Sequence, residues 1–418
     1  GSQAASGQLL FIPAAGGSVQ SRSIFLLPKQ TLTYGNALLD IFGIPSGAGA
    51  VAVEATSAAS TPVIKMTSRT YTSGSSGTYG QGVPNVSSGD LPQTLFVTGL
   101  ESDSDYRTNI GLVNRSNTPV PVALTLYDAN GSLVGSTSLV VAANNFQQSS
   151  LASFFPAVNN RPFTALSMRA DATVADAISV YASVVDNRTQ DPIYLQGSGA
   201  RSGSRSVIPA VGRAPGINGT FWRSDVRLFN PAASTIVVTL RYLNATTPVA
   251  IATNQTVVLS DVLSQFGASS GSGALEVLWN GGNGPIIASR TYTTAANGGT
   301  FGQSIDPVQA FGSDSYVPGL RSDSAFRSNV GFVNSGDVSI GITATLLTSR
   351  GEPLANAFVQ LAPRSQTQFS LASLFPSLNI AALGTVTLQS HTDSGPYLFA
   401  YGSMVDNASG DPVFFAGE

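Results

Sequence analysis

The sequence predicts an all-β protein of four antiparallel, two-sheet sandwich units, and three observations lead to this fold class. First, residues 96–109 recur as residues 316–329, each with Gly-Leu, one variable residue and Ser-Asp-Ser. Second, segments such as 120–127 and 339–347 mostly alternate apolar with small polar residues, which is the period of a half-buried strand. Third, Gly, Asn-Gly and Asp-Pro signals follow one another at the short spacing that antiparallel turns require.

The repeat divides the chain into two kinds of unit in alternation. Residues 150–156 match 370–376 with the same offset of 220 as the first repeat. A second kind of unit carries Ser-Arg-Thr-Tyr-Thr at 68–72 and again at 289–293. Such internal repeats indicate duplicated structural units. The predicted order is X-Y-X-Y, a tandem array strung end to end, with unit X1 at residues 1–90, Y1 at 91–204, X2 at 205–311 and Y2 at 312–418.

The composition indicates a secreted protein. Charged residues make up only 10% of the 418 residues, and the formal net charge is −3, so there is no electrostatic reason to expect nucleic acid as a partner. Cysteine is absent, which excludes disulfides, thiolate metal sites and cysteine nucleophiles. No apolar run reaches the ~18 residues of a transmembrane segment. Low charge, abundant small polar residues and no cysteine are typical of a bacterial protein at the cell surface.

A short helical interruption is predicted in every unit. Each begins near a Ser or Asn that can cap the first turn, and each ends at Gly or Pro. The predicted ranges are 36–43, 149–156, 260–267 and 371–376.

Unit X1 is shorter than its counterpart X2. Ile-Pro-Ala at 12–14 recurs at an offset of 196, whereas Gln30 recurs at an offset of 225, so the two offsets differ by 29. In X2 the corresponding stretch, about 219–243, holds two predicted strands. Either the printed sequence omits a segment of the natural chain, or X1 lacks two strands and exposes core that a donor strand would cover. The candidate donor is the apolar stretch Leu9, Leu10, Phe11 and Ile12.

Catalytic and metal-binding patterns are not found. His391 is the only histidine and lies in a turn-like sequence. The Gly-X-Ser-X-Gly pattern at 267–271 would act as a nucleophile elbow only between a strand and a helix of an α/β sheet. No EF-hand, His/Glu zinc pattern, Walker loop or dinucleotide fingerprint is present. The sequence therefore predicts a non-catalytic protein without a cofactor or metal.

Charged residues that recur along the chain are predicted to have structural roles. Asp at a turn commonly accepts hydrogen bonds from backbone N–H groups, and a calcium site is the alternative. Arg can tie loops together with its five donors, and the alternative is a ligand-facing role. Three of the arginines, at 107, 223 and 327, are expected to bond within their own units. The full set is Asp186, Asp191, Asp406, Asp411, Arg69, Arg107, Arg223, Arg290 and Arg327.

In residues 219–231 and 289–293, the chain resembles the tandem immunoglobulin-like repeats of bacterial secreted and cell-surface proteins. The resemblance implies architecture and location but no catalytic residues. We therefore expect a structural or assembly protein, a subunit of a surface filament, sheath or array that binds copies of itself or other surface proteins. The alternative is an adhesin or carbohydrate-binding protein with a polysaccharide ligand, which an aromatic row on one exposed face would favour.

Overall fold

The computed structural model describes residues 3–14, 16–55, 64–75, 77–87, 89 and 91–417, which fold almost entirely as β-structure. Strands make up 57% and helices 7%, and neighbouring strands in each sheet are antiparallel. The predicted all-β, antiparallel class is therefore confirmed. The names X1, Y1, X2 and Y2 are kept for the four predicted stretches of the chain; the residue at the X1/Y1 boundary, 90, lies outside the described ranges.

Unit X1 consists of a three-stranded sheet, a short helix and a separate hairpin. Its elements are β1 (Ala5–Pro13), β2 (Gln20–Leu26), α1 (Ala37–Phe42), β3 (Gly49–Ala55), β4 (Ser68–Gly74) and β5 (Gly77–Val83). The sheet has the order β2-β1-β3, and within the described ranges β4 pairs only with β5.

The structure corrects the prediction that the apolar stretch near the N-terminus is a donor strand. Leu9, Leu10, Phe11 and Ile12 lie in β1, which pairs with β2 along one edge and with β3 along the other. Leu9 and Phe11 pack with Phe42 of α1 to form the small core of X1. A strand that is paired on both edges cannot be given to another chain without dismantling its own sheet, so this stretch is core.

Unit Y1 is a sandwich of two four-stranded sheets. Its strands are β6 (Thr94–Ser102), β7 (Tyr106–Asn114), β8 (Val120–Asp128), β9 (Leu133–Val141), β10 (Asn145–Ser150), β11 (Phe163–Ala172), β12 (Ile178–Asp186) and β13 (Pro192–Gln196), with helix α2 (Leu151–Phe154) and a 3-10 helix (Pro156–Asn160). The sheets have the orders β6-β11-β8-β9 and β10-β7-β12-β13. Alternate residues of both, such as Leu124 and Ile110, are buried between them.

Unit X2 has the same two layers, which one long strand joins. Its strands are β14 (Arg205–Pro215), β15 (Phe221–Phe229), β16 (Ile236–Tyr242), β17 (Ala245–Ile251), β18 (Thr256–Leu259), β19 (Gly271–Trp279), β20 (Ile286–Thr294) and β21 (Thr300–Ser304), with 3-10 helices at Ile217–Gly219 and Val262–Phe266. β14 has a bulge between Ile208 and Val211, and its end turns to pair with β15. The layers are β17-β16-β19-β14 and β18-β15-β20-β21.

Unit Y2 repeats the topology of Y1. Its strands are β22 (Asp314–Arg321), β23 (Phe326–Asn334), β24 (Ile340–Leu347), β25 (Pro353–Leu361), β26 (Gln366–Ser370), β27 (Thr385–His391), β28 (Leu398–Asp406) and β29 (Pro412–Ala416), with helix α3 (Leu371–Leu374) and a 3-10 helix (Ile380–Ala382). The orders β22-β27-β24-β25 and β26-β23-β28-β29 match those of Y1 strand for strand.

The short helices lie where the sequence places them. Asn36 caps α1 by accepting from Leu39 N, and Ser150 and Ser370 cap α2 and α3 in the same way. In X2 the interruption is a 3-10 helix that ends at Gly267 in the left-handed conformation. None of the helices in the described ranges has the length and apolar character of a membrane span.

Two X2 strands have no counterparts among the described residues of unit X1. The offset of 225 places the first residue of β2 on the first residue of β17, and β4 contains the Ser-Arg-Thr-Tyr-Thr sequence of β20. The described part of X1 therefore has no strand equivalent to β15 or β16. Without them, β2 pairs directly with β1, and the outer edge of β4 has no strand beside it among the described residues. The predicted difference between the two offsets thus corresponds to two strands that the described residues of X1 do not contain.

Each complete unit contains one buried asparagine that satisfies the carbonyl groups of a turn. Asn114, Asn230 and Asn334 are buried at the ends of β7, β15 and β23. The side-chain amide of Asn230 donates to the carbonyls of Ser234 and Ile251 at 2.8 and 2.9 Å. The amides of Asn114 and Asn334 donate to equivalent carbonyls. The bonds to Ile251 and Val141 are buried, and these carbonyls need such partners because water cannot reach them.

Replacing Asn230 by alanine should lower the free energy of unfolding by about 2–4 kcal/mol, because it leaves the buried carbonyl of Ile251 without a donor and the backbone N of Ala232 without an acceptor. The exposed Asn356 in β25 is the control, and its replacement by alanine should change stability by less than about 0.5 kcal/mol. Urea denaturation measures both variants. Equal stabilities would show that the buried amide does not stabilise the fold.

Candidate functional site

The recurring aspartates lie at joints between units, and the joint of Y1 with X2 shows the arrangement most fully. The turn of residues 186–191 connects β12 to β13 and faces the hairpin of β20 and β21. Asp186 Oδ1 accepts from the backbone N of Arg188 and Thr189 at 2.8 and 3.0 Å, which shapes the turn. Asp186 Oδ2 accepts from the backbone N and Oγ1 of Thr300 in X2 at 2.8 and 2.9 Å. One carboxylate therefore holds its own turn and the neighbouring unit together.

The joint of Y2 with X1 repeats this geometry with the last and first units of the chain. The turn of residues 406–411 faces the hairpin of β4 and β5. Asp406 Oδ1 accepts from the backbone N of Ala408 and Ser409, and Oδ2 accepts from Thr78 N and Oγ1 at 3.0 and 2.7 Å. Because the joint closes the chain on itself, the units are not simply strung end to end as the repeat suggested.

The hydrogen bonds at these turns explain the acidity of the two carboxylates. Burial alone would raise the pKa of Asp186, but the donors at Thr189, Thr300 and Arg188 hold it below its ordinary value. The pKa of Asp406 is lowered against burial in the same way by Thr78, Ser409 and Ala408. Both oxygens of Asp186 and of Asp406 therefore accept hydrogen bonds from protein donors.

Two of the recurring arginines belong to the joints. Arg290 in β20 donates to Thr300 Oγ1 at 2.6 Å and to the hydroxyl of Tyr106 in Y1 at 3.1 Å, and its guanidinium lies 5.6 Å from the centre of the Tyr106 ring. Arg69 in β4 donates to Thr78 Oγ1 and to Asp411 Oδ2, both at 2.9 Å. Its guanidinium lies 5.9 Å from the ring of Phe326 in Y2. These arginines therefore bond across units.

Asp191 and Asp411 are buried beside each other where the two joints meet. Asp191 Oδ2 accepts from Gly302 N at 2.9 Å, and Asp411 Oδ2 accepts from Gly80 N at 2.8 Å. The Oδ1 atom of each is buried without a hydrogen-bond donor. Burial raises the pKa of Asp191 well above its ordinary value and the proximity of Asp411 adds to it, while burial raises the pKa of Asp411 to about 6 against the attraction of Arg69. The two carboxyl groups therefore hold a proton between them at mildly acidic pH.

This carboxyl pair should make the protein less stable as the pH rises from about 4 to 7. A folded-state pKa above the unfolded value stabilises the fold at low pH, and that contribution is lost as the pH passes through about 6. Each retained proton gives a slope of up to about 1.4 kcal/mol per pH unit. Urea denaturation at a series of pH values measures the slope.

The variant Asp191→Asn should flatten this slope, because its amide can donate to Asp411 Oδ1 while its carbonyl still accepts from Gly302 N. The matched control is Asp105→Asn, which changes an exposed partner of Arg188 and should leave the slope unchanged. An unchanged slope in Asp191→Asn would show that the pair does not retain the proton.

Four strands meet at the centre of the molecule, one from each unit: β5, β13, β21 and β29. The rings of Tyr79 in β5 and Phe301 in β21 stack with their centres 5.5 Å apart. Ser183 in β12 donates to Gln81 Oε1 at 3.0 Å, and Ser403 in β28 donates to Gln303 Oε1 at 3.1 Å. A cavity of about 60 Å³ lies among β5, β13, β21 and β29. Its size suits a few water molecules, so the centre is a packed junction.

A second contact strengthens each joint. Thr31 Oγ1 in X1 lies 2.7 Å from Thr387 Oγ1 in Y2. At the equivalent place, Ser167 Oγ in Y1 lies 2.8 Å from Thr256 Oγ1 in X2. Both joints therefore use the same two surfaces of each unit.

The other recurring arginines bond within their own units. Arg107 donates to Asn187 Oδ1 and Gln190 Oε1, both at 2.8 Å, and Arg327 donates to Asn407 Oδ1 at 2.9 Å. Arg223 stands 3.9 Å from Asp261 Oδ2 and is more than a third exposed. None of these contacts forms an open ligand groove.

His391 and the Gly-X-Ser-X-Gly pattern lie in different units, Y2 and X2. His391 is the last residue of β27, and its two ring nitrogens lie 2.9 and 3.0 Å from Asp314 Oδ1 and Asp393 Oδ1. Hydrogen bonds to Asp393 and Asp314 raise its pKa. Ser269 lies in a loop of X2, where its carbonyl accepts from Arg213. Among the described residues, no group of three or more His, Cys, Asp or Glu side chains could hold a metal ion.

Sequence reasoning missed the partners of the recurring aspartates. Gly-Thr-aromatic-Gly-Gln occurs at 77–81 and 299–303, and each residue after the first has a role in a joint. Thr bonds one aspartate, the aromatic ring stacks on its copy, the second Gly bonds the other aspartate and Gln accepts from Ser. The first Gly leaves room for the aspartate, since a Cβ at Gly77 would lie 2.6 Å from Asp406 Oδ1.

Comparison with known proteins gives no family for this chain. No family model matches it, and no curated protein matches it. Among solved structures, the chain is similar to the crystal structure of dimeric latent PorU from Porphyromonas gingivalis with 8% identity and a TM-score of 0.14. That comparison covers 82% of this chain and 35% of the other, so the chain spans about a third of the length of PorU. At this TM-score the likeness carries no argument about fold or function.

Proposed function

We propose that the chain is a non-catalytic extracellular structural protein, a subunit of a surface filament, sheath or array, whose four immunoglobulin-like units in X-Y-X-Y order join into one closed body. The observation that supports this most is the use of the recurring aspartates. All four aspartates are buried and accept hydrogen bonds from a neighbouring unit, so the residues that recur along the chain hold the units together. Absence of cysteine and a low charge support an extracellular location.

The closed body restricts how such a subunit can assemble. In a head-to-tail array, the binding surface of Y2 would be free to accept X1 of the next copy. Here both joint surfaces of Y2 are already occupied by X1 of the same chain, through Asp406 and Thr387. Assembly must therefore use surfaces outside the joints.

The alternative of a carbohydrate-binding protein would draw on exposed aromatic rings. The three most exposed rings among the described residues are Phe25, Tyr71 and Phe358, at 57%, 50% and 71%. They lie on β2, β4 and β25, which belong to three different sheets. Within the described ranges these rings form no row along one strand or hairpin, so we favour the structural proposal.

Sedimentation velocity and negative-stain electron microscopy over a concentration series test the proposal, together with retention on immobilised polysaccharides. We expect concentration-dependent assemblies and no retention. Retention that free sugar competes away, and that Tyr71→Ala or Phe358→Ala abolishes, would overturn the proposal in favour of carbohydrate binding. Leu133→Ala, a similarly exposed but aliphatic site in β9, is the control for a general loss of surface hydrophobicity.

A further inference from the structure

One strand position, which no described residue of X1 occupies, is filled in X2. There β15 lies between β18 and β20, with Val226 opposite Leu259 on one side and Ser289 on the other. Ser68–Thr72 of β4 repeats the sequence of β20, and the offset of 225 places residues 31–34 on β18. We define the X1 slot as these two segments, residues 31–34 and 68–72. Among the described residues, no strand occupies the place that β15 has in X2.

The segments that border the X1 slot are exposed where their X2 counterparts are covered. Ser289 and Thr293 of β20 are buried, whereas the corresponding Ser68 and Thr72 of β4 are exposed. Leu32 and Tyr34 are 41% and 40% exposed. An unpaired strand edge flanked by exposed apolar side chains is a ready template for an added strand.

The neighbouring unit shows what charge the added strand should carry. In the joint of Y1 with X2, Glu101 of β6 is buried against Arg227 of β15, and Arg227 Nη2 donates to Glu101 Oε1 at 2.5 Å. In Y2 the residue equivalent to Glu101, at the offset of 220, is Arg321. Its side chain is 43% exposed, donates to Asp323 and lies 5.0 Å from the ring centre of Phe326. Since the protein side of this contact is basic in Y2, its partner should be acidic.

The position of Asp225 in β15 also favours an acidic residue in the added strand. Asp225 of β15 lies opposite Arg290 in the strand register of X2. The counterpart of Arg290 in the X1 slot is Arg69. Arg69 already donates to Asp411 and Thr78, so it favours a carboxylate at the position of Asp225 through its charge alone. Arg321, at the position two residues further along, has a 43% exposed side chain that an added strand can reach.

We propose that the X1 slot binds an extended acidic segment of a partner protein, which adds to β4 as an antiparallel strand. The segment has apolar residues at the positions of Val226 and Leu228, which are buried in X2, and carboxylates at the positions of Asp225 and Arg227. Main-chain hydrogen bonds supply affinity, and Arg321 selects an acidic residue. This inference rests on the proposed function and names the chemistry of the partner.

Two synthetic peptides test the X1 slot in the full chain. One has the sequence of residues 220–230, and the other carries the change R227E in that sequence. We expect the R227E peptide to bind about tenfold more tightly by fluorescence polarisation, because it meets Arg321 with the opposite charge. Hydrogen exchange should show protection of the β4 amides on binding. A peptide with proline at the position of Val226 should not bind, since proline cannot donate to the ladder.

The variant Arg321→Glu should reverse the preference between the two peptides. Arg364→Glu, an exposed arginine paired with Asp337 elsewhere in Y2, is the matched control and should leave the preference unchanged. Equal binding of both peptides, no binding, or a preference that Arg321→Glu does not alter would overturn the inference. So would a natural sequence that carries two further strands between residues 14 and 30, because the chain would then supply its own strand for the slot.

These outcomes separate the inference from the proposed function. If the chain assembles on its own but binds neither peptide, the slot is not the partner site and the structural function stands. If the R227E peptide binds as expected while the chain is retained on polysaccharides, the slot is supported and the structural function fails. Pairing of two chains through their β4 edges, seen as β4 protection that rises with protein concentration alone, would contradict a separate acidic partner.

Discussion

Replacing Asp186 and Asp406 together by alanine should lower the free energy of unfolding by about 6 kcal/mol, the sum of two losses at separate joints. Each carboxylate accepts two bonds within its own turn and two from a threonine of the neighbouring unit. Losing one such buried acceptor leaves several donors unsatisfied and should cost about 3 kcal/mol. Urea denaturation of the two single variants and the double variant measures these losses. The amides of Thr300 and Thr78 should also exchange faster with deuterium.

The control for this experiment is Asp105→Ala. Asp105 forms an ion pair with Arg188 in which both side chains are half exposed, so the change should cost less than about 1 kcal/mol. With both joints weakened, unfolding should also separate into more than one transition, since the units then lose their mutual support. A double variant no less stable than Asp105→Ala would refute the role of the aspartates at the joints.

Replacing Arg290 by alanine should cost about 3–5 kcal/mol, because its removal leaves the buried Asp191 without its nearby cation and takes a donor from both Thr300 and Tyr106. The matched change is Arg223→Ala in the adjacent strand β15. Arg223 is more exposed and stands 3.9 Å from Asp261, so its loss should cost less than about 1 kcal/mol. Thermal and urea unfolding of the two variants measure the difference.

A larger loss of stability in Arg223→Ala than in Arg290→Ala would contradict the assignment of Arg290 to the joint. Arg290→Lys tests the geometry further. A lysine keeps the charge but cannot donate to Thr300 and Tyr106 with the fork of a guanidinium, so we expect it to recover only part of the stability.

The sequence predicted the class of fold and its short helices because both depend on local patterns. Residues 120–127, in which apolar residues alternate, form most of β8, and every second side chain of this strand is buried. A Ser before Leu-Ala-Ser becomes the cap of α2 and again of α3. The repeat also located the difference between X1 and X2, because an alignment of two copies shows missing strands without any knowledge of packing.

The joints could not be predicted in the same way. A repeat shows which residues are equivalent, such as Asp186 and Asp406, but it does not show which residues touch. The Gly-Thr-aromatic-Gly-Gln motif recurs with nearly the same offset as the aspartates, and this co-occurrence was the available signal for their contact. In the sequence, the apolar stretch of Leu9 to Ile12 shows no sign of the two strands that border it. Its pairing with β2 and β3 depends on long-range contacts.

The most direct test of the closed body is an engineered cross-link between its first and last units. The chain has no cysteine, and Thr31 Oγ1 lies 2.7 Å from Thr387 Oγ1, so the double variant Thr31→Cys/Thr387→Cys should form a disulfide on mild oxidation. The equivalent pair Ser167→Cys/Thr256→Cys is the positive control, and the mismatched pair Thr31→Cys/Ser167→Cys is the negative control. Non-reducing electrophoresis and intact mass show the product. The closed body predicts a disulfide within one monomer, whereas free thiols, or disulfides formed only between chains, would contradict it.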